Sequence, residues 1–406
     1  MSYLSKLGRV VSSIVVVAAS LLLLPLSAAP VQAAADPVTW TVLVGAEAGL
    51  EQTDTGMGAQ WEFMRFYPES ITINAGDTIL FKSNSMEPHT VTFPKPGAPM
   101  PDLIIPEGGT SQRLMFNPLD AFPQGGTSYD GSAFTGSGQL GGDPTSPTSY
   151  KLAFSKAGTY DYGCAFHPMM KGKVVVQAAG TAYPKTQAQI DADAKALIAQ
   201  DTVAATKMEP DAKKVSSRPG PNGTTIWSAN IGYGDGMYAY MRFSPKVLTI
   251  RAGDTVEWTQ KDVDTPHTVT FVSGGKEPDL ALVELQPNGP PKVIVNPVVL
   301  TPAGGPVYSG KGYFNSGFIQ GSKSPAPGPR TYALVFDTQG KYEYICVLHD
   351  AMGMSATVTV LAKDAKLPAA GEGPGTGNNV LLLFGLAISL IIVGLGATAL
   401  AVRTNH

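Results

Sequence analysis

The sequence predicts an all-β protein of two sandwich domains joined by a helical linker, with a transmembrane helix behind them. Three observations carry that expectation. The chain has 406 residues with 45 Gly, 33 Pro and only 15% charged side chains, a balance that favours short strands and many turns. One half repeats the other: Met64-Arg65-Phe66-Tyr67-Pro68 returns as Met241-Arg242-Phe243-Ser244-Pro245, and Ala75-Gly76-Asp77-Thr78 as Ala252-Gly253-Asp254-Thr255. Around these fragments, β-branched residues alternate between Gly-Asp turns with no strand–helix alternation, which indicates antiparallel sandwiches. A net charge of -3 without a basic patch argues against nucleic acid as a partner.

The elements come in order along the chain. Residues 1–35 read as a signal peptide: Lys6 and Arg9, the apolar run Val10 to Leu24, then Val31-Gln32-Ala33. Residues 36–180 form the first domain, with strands around Ile71–Asn74, Thr78, His89–Phe93, Tyr150–Phe154, the Tyr160-x-Tyr162 segment and Lys173–Gln177. A long Gly/Ser/Pro-rich excursion, Asn117 to Ser149, separates the His strand from the Tyr150–Phe154 strand, and Asn296 to Gly328 is its counterpart. Residues 181–223 form the linker. Within it Thr186-x-x-Gln189 resembles a capping box, Ile190, Ala194, Leu197 and Ile198 recur at helical spacing up to Pro210, and Arg218 to Gly223 reads as a flexible joint. Residues 224–362 repeat the first domain, and 363–379 form a polar spacer. Val380 to Val402 is apolar and long enough to span a bilayer, and Arg403 behind it places both domains outside the cytoplasm. Leu367 to Gly371 resembles a sortase signal, with Ala370 where that motif has Thr, so a retained membrane anchor is expected.

The chemistry lies in two copies of one loop. Cys164-Ala165-Phe166-His167-Pro168-Met169-Met170 and Cys346-Val347-Leu348-His349-Asp350-Ala351-Met352-Gly353-Met354 each bring thiolate, imidazole and thioether together. Upstream, Pro88-His89-Thr90-Val91-Thr92-Phe93 and Pro266-His267-Thr268-Val269-Thr270-Phe271 each add a second imidazole. Four of the five His and both Cys fall in these motifs, in the same order and strand context. Two imidazoles, one thiolate and a weak axial thioether suit copper in an electron-transfer setting. Any one of these residues alone is more simply a packed side chain, but two complete sets are not explained that way.

This order on a small all-β domain resembles the cupredoxin family of plastocyanin, amicyanin and halocyanin type, over about residues 38–178 and 224–362. The resemblance implies two Greek-key sandwiches holding two coppers per chain that cycle between Cu+ and Cu2+. It implies His89, Cys164 and His167 as strong ligands in the first domain, and His267, Cys346 and His349 in the second. Met170 would be the first axial ligand at amicyanin-like spacing, with Met169 competing but better suited to packing. Met354 would be the second at plastocyanin-like spacing, and Met352 would instead copy the first domain's loop. In the family the first His is often followed by an Asn that ties the ligand loops together, whereas Thr90 and Thr268 stand there in this chain. It further implies that the edges of His167 and His349 are electron ports, with Pro168 and Met169 beside one and Asp350 beside the other.

The expected function is thus a membrane-anchored blue copper carrier outside the cytoplasm, passing single electrons between redox protein partners of respiration or photosynthesis. The alternative is a cell-surface copper-binding or delivery protein, which predicts clustered Met or His outside the loops. Multicopper oxidase and nitrite reductase chemistry would need further His, and no His-x-His pair occurs. Acidic residues near Asp120 and Glu277 show no paired spacing for acid/base catalysis.

Overall fold

A computed structural model describes residues 36–367 apart from 54–55, 110–112 and 325–327. The expected signal peptide, the expected membrane span and the sortase-like segment beyond Leu367 lie outside the described residues. Among the described residues, no helix is long and apolar enough to cross a membrane.

Each half is a two-sheet sandwich around its own aromatic core. In the first half, Thr39–Thr53, Gly56–Tyr67, Thr78–Ser83 and Ser149–Phe154 make one sheet, and Ser70–Asn74, Lys171–Gln177, Gly158–Gly163 and Thr92–Phe93 lie in the other. Between them pack Trp40, Phe66, Phe81, Phe93, Phe154 and Tyr162. The second half repeats this with Trp258, Phe243, Phe271, Phe336 and Tyr344. The expected antiparallel pattern is only partly correct. Thr39–Thr53 runs parallel to Thr78–Ser83, and Ser70–Asn74 parallel to Lys171–Gln177. The reason is the crossover: Ser70–Asn74 leaves for the far sheet, so the next strand returns in the direction of the first. Asp77 fixes that crossover by accepting from the Val38 and Asn74 amides and from Trp40 Nε1. Asp254 does the same for Thr225, Arg251 and Trp227.

The two halves are not beads on a string. Gly56–Tyr67 pairs antiparallel with Tyr238–Ser244, with Phe63 opposite Tyr238 and Trp61 opposite Tyr240, which fuses one sheet of each half into a single 11-stranded sheet. A second, four-stranded sheet crosses the boundary where Met115 pairs with Ile294.

The linker helix runs Gln187–Ala212 with the expected Thr186–Gln189 capping box, but it continues through Pro210. It does not tether the halves loosely. Ala194, Ala205 and Ala212 pack on Trp61, Phe63, Tyr67 and Tyr240, across the sheet junction. Asp201 accepts from Tyr67 of one half at 2.6 Å and from Tyr238 of the other at 2.9 Å. The expected joint at Arg218 to Gly223 is ordered instead: Ser216–Pro219 forms a strand paired to Thr225–Gly234, and Pro221–Gly223 a short turn.

Candidate metal centres

The long excursions, for which the sequence suggested no task, hold the upstream histidines. Asn117 and Asn296 cap short helices, Pro118–Ala121 and Pro297–Leu300, that turn each excursion back. Each then returns to pair with its His. His89 exchanges backbone hydrogen bonds with Leu140 at 3.0 and 2.7 Å, and His267 with Ile319 at 3.1 and 2.8 Å. Ser137 and Ser316 pin the next turn by accepting from the Val91 and Val269 amides at 2.8 Å.

On this backbone the expected residues converge. His89 Nδ1 lies 3.8 Å from Cys164 Sγ and 3.2 Å from His167 Nδ1, and His167 Nδ1 is 3.5 Å from the sulfur. In the second half the same separations are 3.6, 3.0 and 3.4 Å for His267, Cys346 and His349. All six residues are buried, and neither cysteine is in a disulfide. Three trigonal donors holding a metal at about 2.0–2.3 Å need edges of roughly 3.5–4 Å, so these donor sets fit a metal ion with small adjustment. Soft thiolate beside two imidazoles fits copper in particular.

Met170 is buried in the same cluster as Cys164, and its carbonyl accepts from the Cys164 amide at 3.0 Å. Met354 stands in the same relation to Cys346, buried in that half's core with its carbonyl on the Cys346 amide at 3.0 Å. The two extra residues of the second loop are taken up by a short turn, Asp350–Met352, closed by left-handed Gly353. That turn sends Met352 away, into the first half's core cluster. Met169 is half exposed, with its side chain over Gly236 of the second half.

Thr90 and Thr268 make the tie that the sequence left in doubt. Each donates its backbone N–H to the cysteine sulfur, at 3.3 and 3.4 Å, while its hydroxyl accepts from the amide after the cysteine, at 2.8 and 3.0 Å. Two residues without a sequence signal crowd the upstream histidines. Gly45 and Gly232 are left-handed, with φ of 73° and 61°, and a Cβ at either would fall 2.5 Å from Nε2 of His89 or His267. Ser85 Oγ lies 3.1 Å from His89 Nε2, whereas His267 Nε2 has no hydrogen-bond partner among the described residues.

The edges of His167 and His349, expected as electron ports, do not reach the surface. His167 and His349 are each only 3% exposed, because the fused sheet brings the two loops face to face. Between them lies Glu87, itself 4% exposed. Its Oε1 is 3.3 Å from His167 Nε2, and its Oε2 is 3.7 Å from His349 Nε2. Burial works against this charge, but the imidazoles of His349 and His167 outweigh it and hold the Glu87 carboxyl well below the usual range. Other buried acids nearby go the opposite way. Burial raises Glu62 well above its ordinary value, reinforced by Glu87 and Glu47, and pushes Asp262 up to about 6. Glu87 is thus the acid set between the two downstream histidines. The one signal for it in the sequence was the mismatch of Glu87 with Thr265 at the repeat-equivalent place. Elsewhere the structure pairs acids that spacing had not: burial and a hydrogen-bonded Asp350 push Glu277 up to about 7.

Comparisons with known proteins give the family to which these sequence motifs belong. The family model for copper binding proteins of the plastocyanin/azurin family matches residues 53–177 and 230–361. Amicyanin of Paracoccus versutus is 29% identical over 116 residues, 29% of this chain and 61% of the amicyanin, so the match stops short of two thirds of that relative. Plastocyanin of Scenedesmus fuscus is 30% identical over 118 residues, 29% of this chain and 85% of the plastocyanin. A solved structure of a reduced amicyanin mutant is 25% identical, with a TM-score of 0.18, over 28% of this chain and 74% of that one.

Proposed function

The chain belongs to the plastocyanin/azurin family of copper-binding proteins, and from that premise we propose that it carries single electrons between redox protein partners through two type 1 copper sites. The observation that carries this reading is the pair of buried His–Cys–His triads, each with its donors on one centre and a methionine behind the cysteine. His89, Cys164, His167 and Met170 would hold the first copper, and His267, Cys346, His349 and Met354 the second. When bound, copper supplies one-electron chemistry between Cu+ and Cu2+. The protein's part is to keep the donors fixed. The excursions clamp the upstream histidines, the threonines lock each cysteine, and a dry core keeps water out, so little reorganises when the charge changes. A closed donor set leaves no strong position for a substrate, which favours a carrier over an enzyme.

Met354 is the better axial ligand of the second site. It occupies the place of Met170 relative to the cysteine and to the following strand, while Met352 is committed to the other half. The reading includes export and a membrane anchor at Val380 to Val402, with both sandwiches on the outer side, supported by the apolar run and the N-terminal leader pattern.

The test is copper titration of the full chain, followed by visible absorption and electron paramagnetic resonance. Two coppers with intense Cys-to-Cu2+ bands are expected, and Cys164→Ser should abolish one band only. A chain that binds copper without either band would end the carrier reading.

A further inference from the structure

The place of Glu87 is costly and specific. A carboxyl group out of water needs partners to replace its hydration, and the nearest are the outer nitrogens of one downstream histidine from each half: His167 Nε2 at 3.3 Å from Oε1, and His349 Nε2 at 3.7 Å from an Oε2 that has no hydrogen-bond partner among the described residues. The sandwich does not require an acid there, because Thr265 fills the same position in the second half without one. The line from Cys164 to Cys346 thus runs His167, Glu87, His349, and neither gap at the carboxylate exceeds 3.7 Å. Both imidazole edges are buried, so an external partner has no direct access to either.

We propose that Glu87 is the internal electron link of the molecule: its carboxylate holds the His167 and His349 edges together so that an electron received by one copper site passes to the other within the chain. This rests on the electron-carrier reading. With copper bound at both sites, one site would give up one electron as the other takes it up. No bond breaks and no atom is transferred. With Nδ1 as the ligand atom, each ring would keep its proton on Nε2, the side that faces Glu87, in both oxidation states, so no proton would have to move. Tunnelling weakens steeply with each through-space gap, and these contacts leave no room for water. Glu87 acts as a positioning residue: it lines up the two rings. A partner docked at one half can therefore load both sites.

The experiment is flash reduction of the oxidised, copper-loaded full chain, following both blue bands. Exchange between the sites should proceed at a rate independent of protein concentration. Glu87→Gln keeps the size but puts an N–H against one of two N–H groups, and should slow the exchange by about tenfold or more while both bands survive. Glu107→Gln is the control, since it breaks the ion pairs to Lys292 and Arg113 at the other junction, and it should leave the rate unchanged. An unchanged rate in Glu87→Gln, an equal slowing in Glu107→Gln, or a rate that grows with concentration would each overturn the link. If Glu87→Gln does not load copper, nitrogen-15 spectra of the metal-loaded native chain decide. Both His167 and His349 should show slowly exchanging Nε2–H signals, and a fast-exchanging one on either overturns the bridge. A native chain without blue bands is a different result, because it removes the carrier reading and the link with it.

Discussion

At the scale of single residues, the copper sites depend on side chains that are small as much as on those that donate. Gly45 is left-handed, and a methyl group there would collide with His89 Nε2 and Ser85 Oγ. Gly45→Ala should therefore cost roughly 1–2 kcal/mol for the backbone alone and weaken the first site's blue band while sparing the second, which absorption of the copper-loaded variant would show. Asp120 offers a second case. It is fully buried with no hydrogen-bond partner among the described residues, and burial, helped by the Cys164 sulfur, pushes it up to about 7. An acid raised above its ordinary value of about 4 is bound to its proton more tightly in the folded chain, so stability falls as pH climbs from about 4 to about 7 and then levels. Asp120→Asn should flatten that fall, a gain of up to roughly 4 kcal/mol at pH 8, measured by denaturant unfolding of the metal-free chain. The donors were legible in the sequence because cysteine and histidine are rare here and fall together with methionine on short loops. Gly45 and Ser85 were not, because nothing local marks a residue whose role is to stand against a histidine distant along the chain.

At the scale of elements, the strands, their turns and the capped helix could be read from alternation, Gly-Asp pairs and helical spacing, all of which are short-range signals. What could not be read is where each element goes. The pairing of Gly56–Tyr67 with Tyr238–Ser244 joins residues far apart, and its middle carries, opposite Ala239, buried Glu62, a residue that pattern reading assigns to solvent. The helix shows the same limit. Its cap was visible, but its task of bridging both halves depends on Asp201, which looked like an ordinary polar position. That task makes a prediction. Asp201 is 3% exposed, takes hydrogen bonds from Tyr67 and Tyr238 and forms an ion pair with Arg65 at 3.6 Å, so Asp201→Ala leaves two phenols without their acceptor and Arg65 with Glu69 as its remaining carboxylate. A loss of about 3–5 kcal/mol is expected in denaturant unfolding, against roughly 1 kcal/mol for removal of the Thr186 cap by Thr186→Ala. If Asp201→Ala costs no more than the cap, the helix is only a tether.

At the scale of the whole molecule, the two sites share a fold and differ in surroundings, and the differences point one way. Ser85 can accept from His89 Nε2 and so make that imidazole a stronger donor, whereas His267 Nε2 has no such partner among the described residues. Asp120 adds a negative charge near Cys164 when it ionises, where the second half has Val299 at the equivalent place. Glu87 approaches the first site's His167 more closely than His349, at 3.3 Å against 3.7 Å, and as a carboxylate would favour the oxidised metal more there. Each of these stabilises the oxidised metal more in the first half, so that site should have the lower potential and the second should receive the electron. A redox titration resolved at both blue bands should give two one-electron waves, the more negative belonging to the band that Cys164→Ser removes. Asp120→Asn should narrow the separation above pH 7 and leave it nearly unchanged at pH 5, where the native acid is already protonated. Coincident waves at every pH would mean that the unequal surroundings do not reach the metals, and the tandem would then be two copies of one carrier sharing a wall.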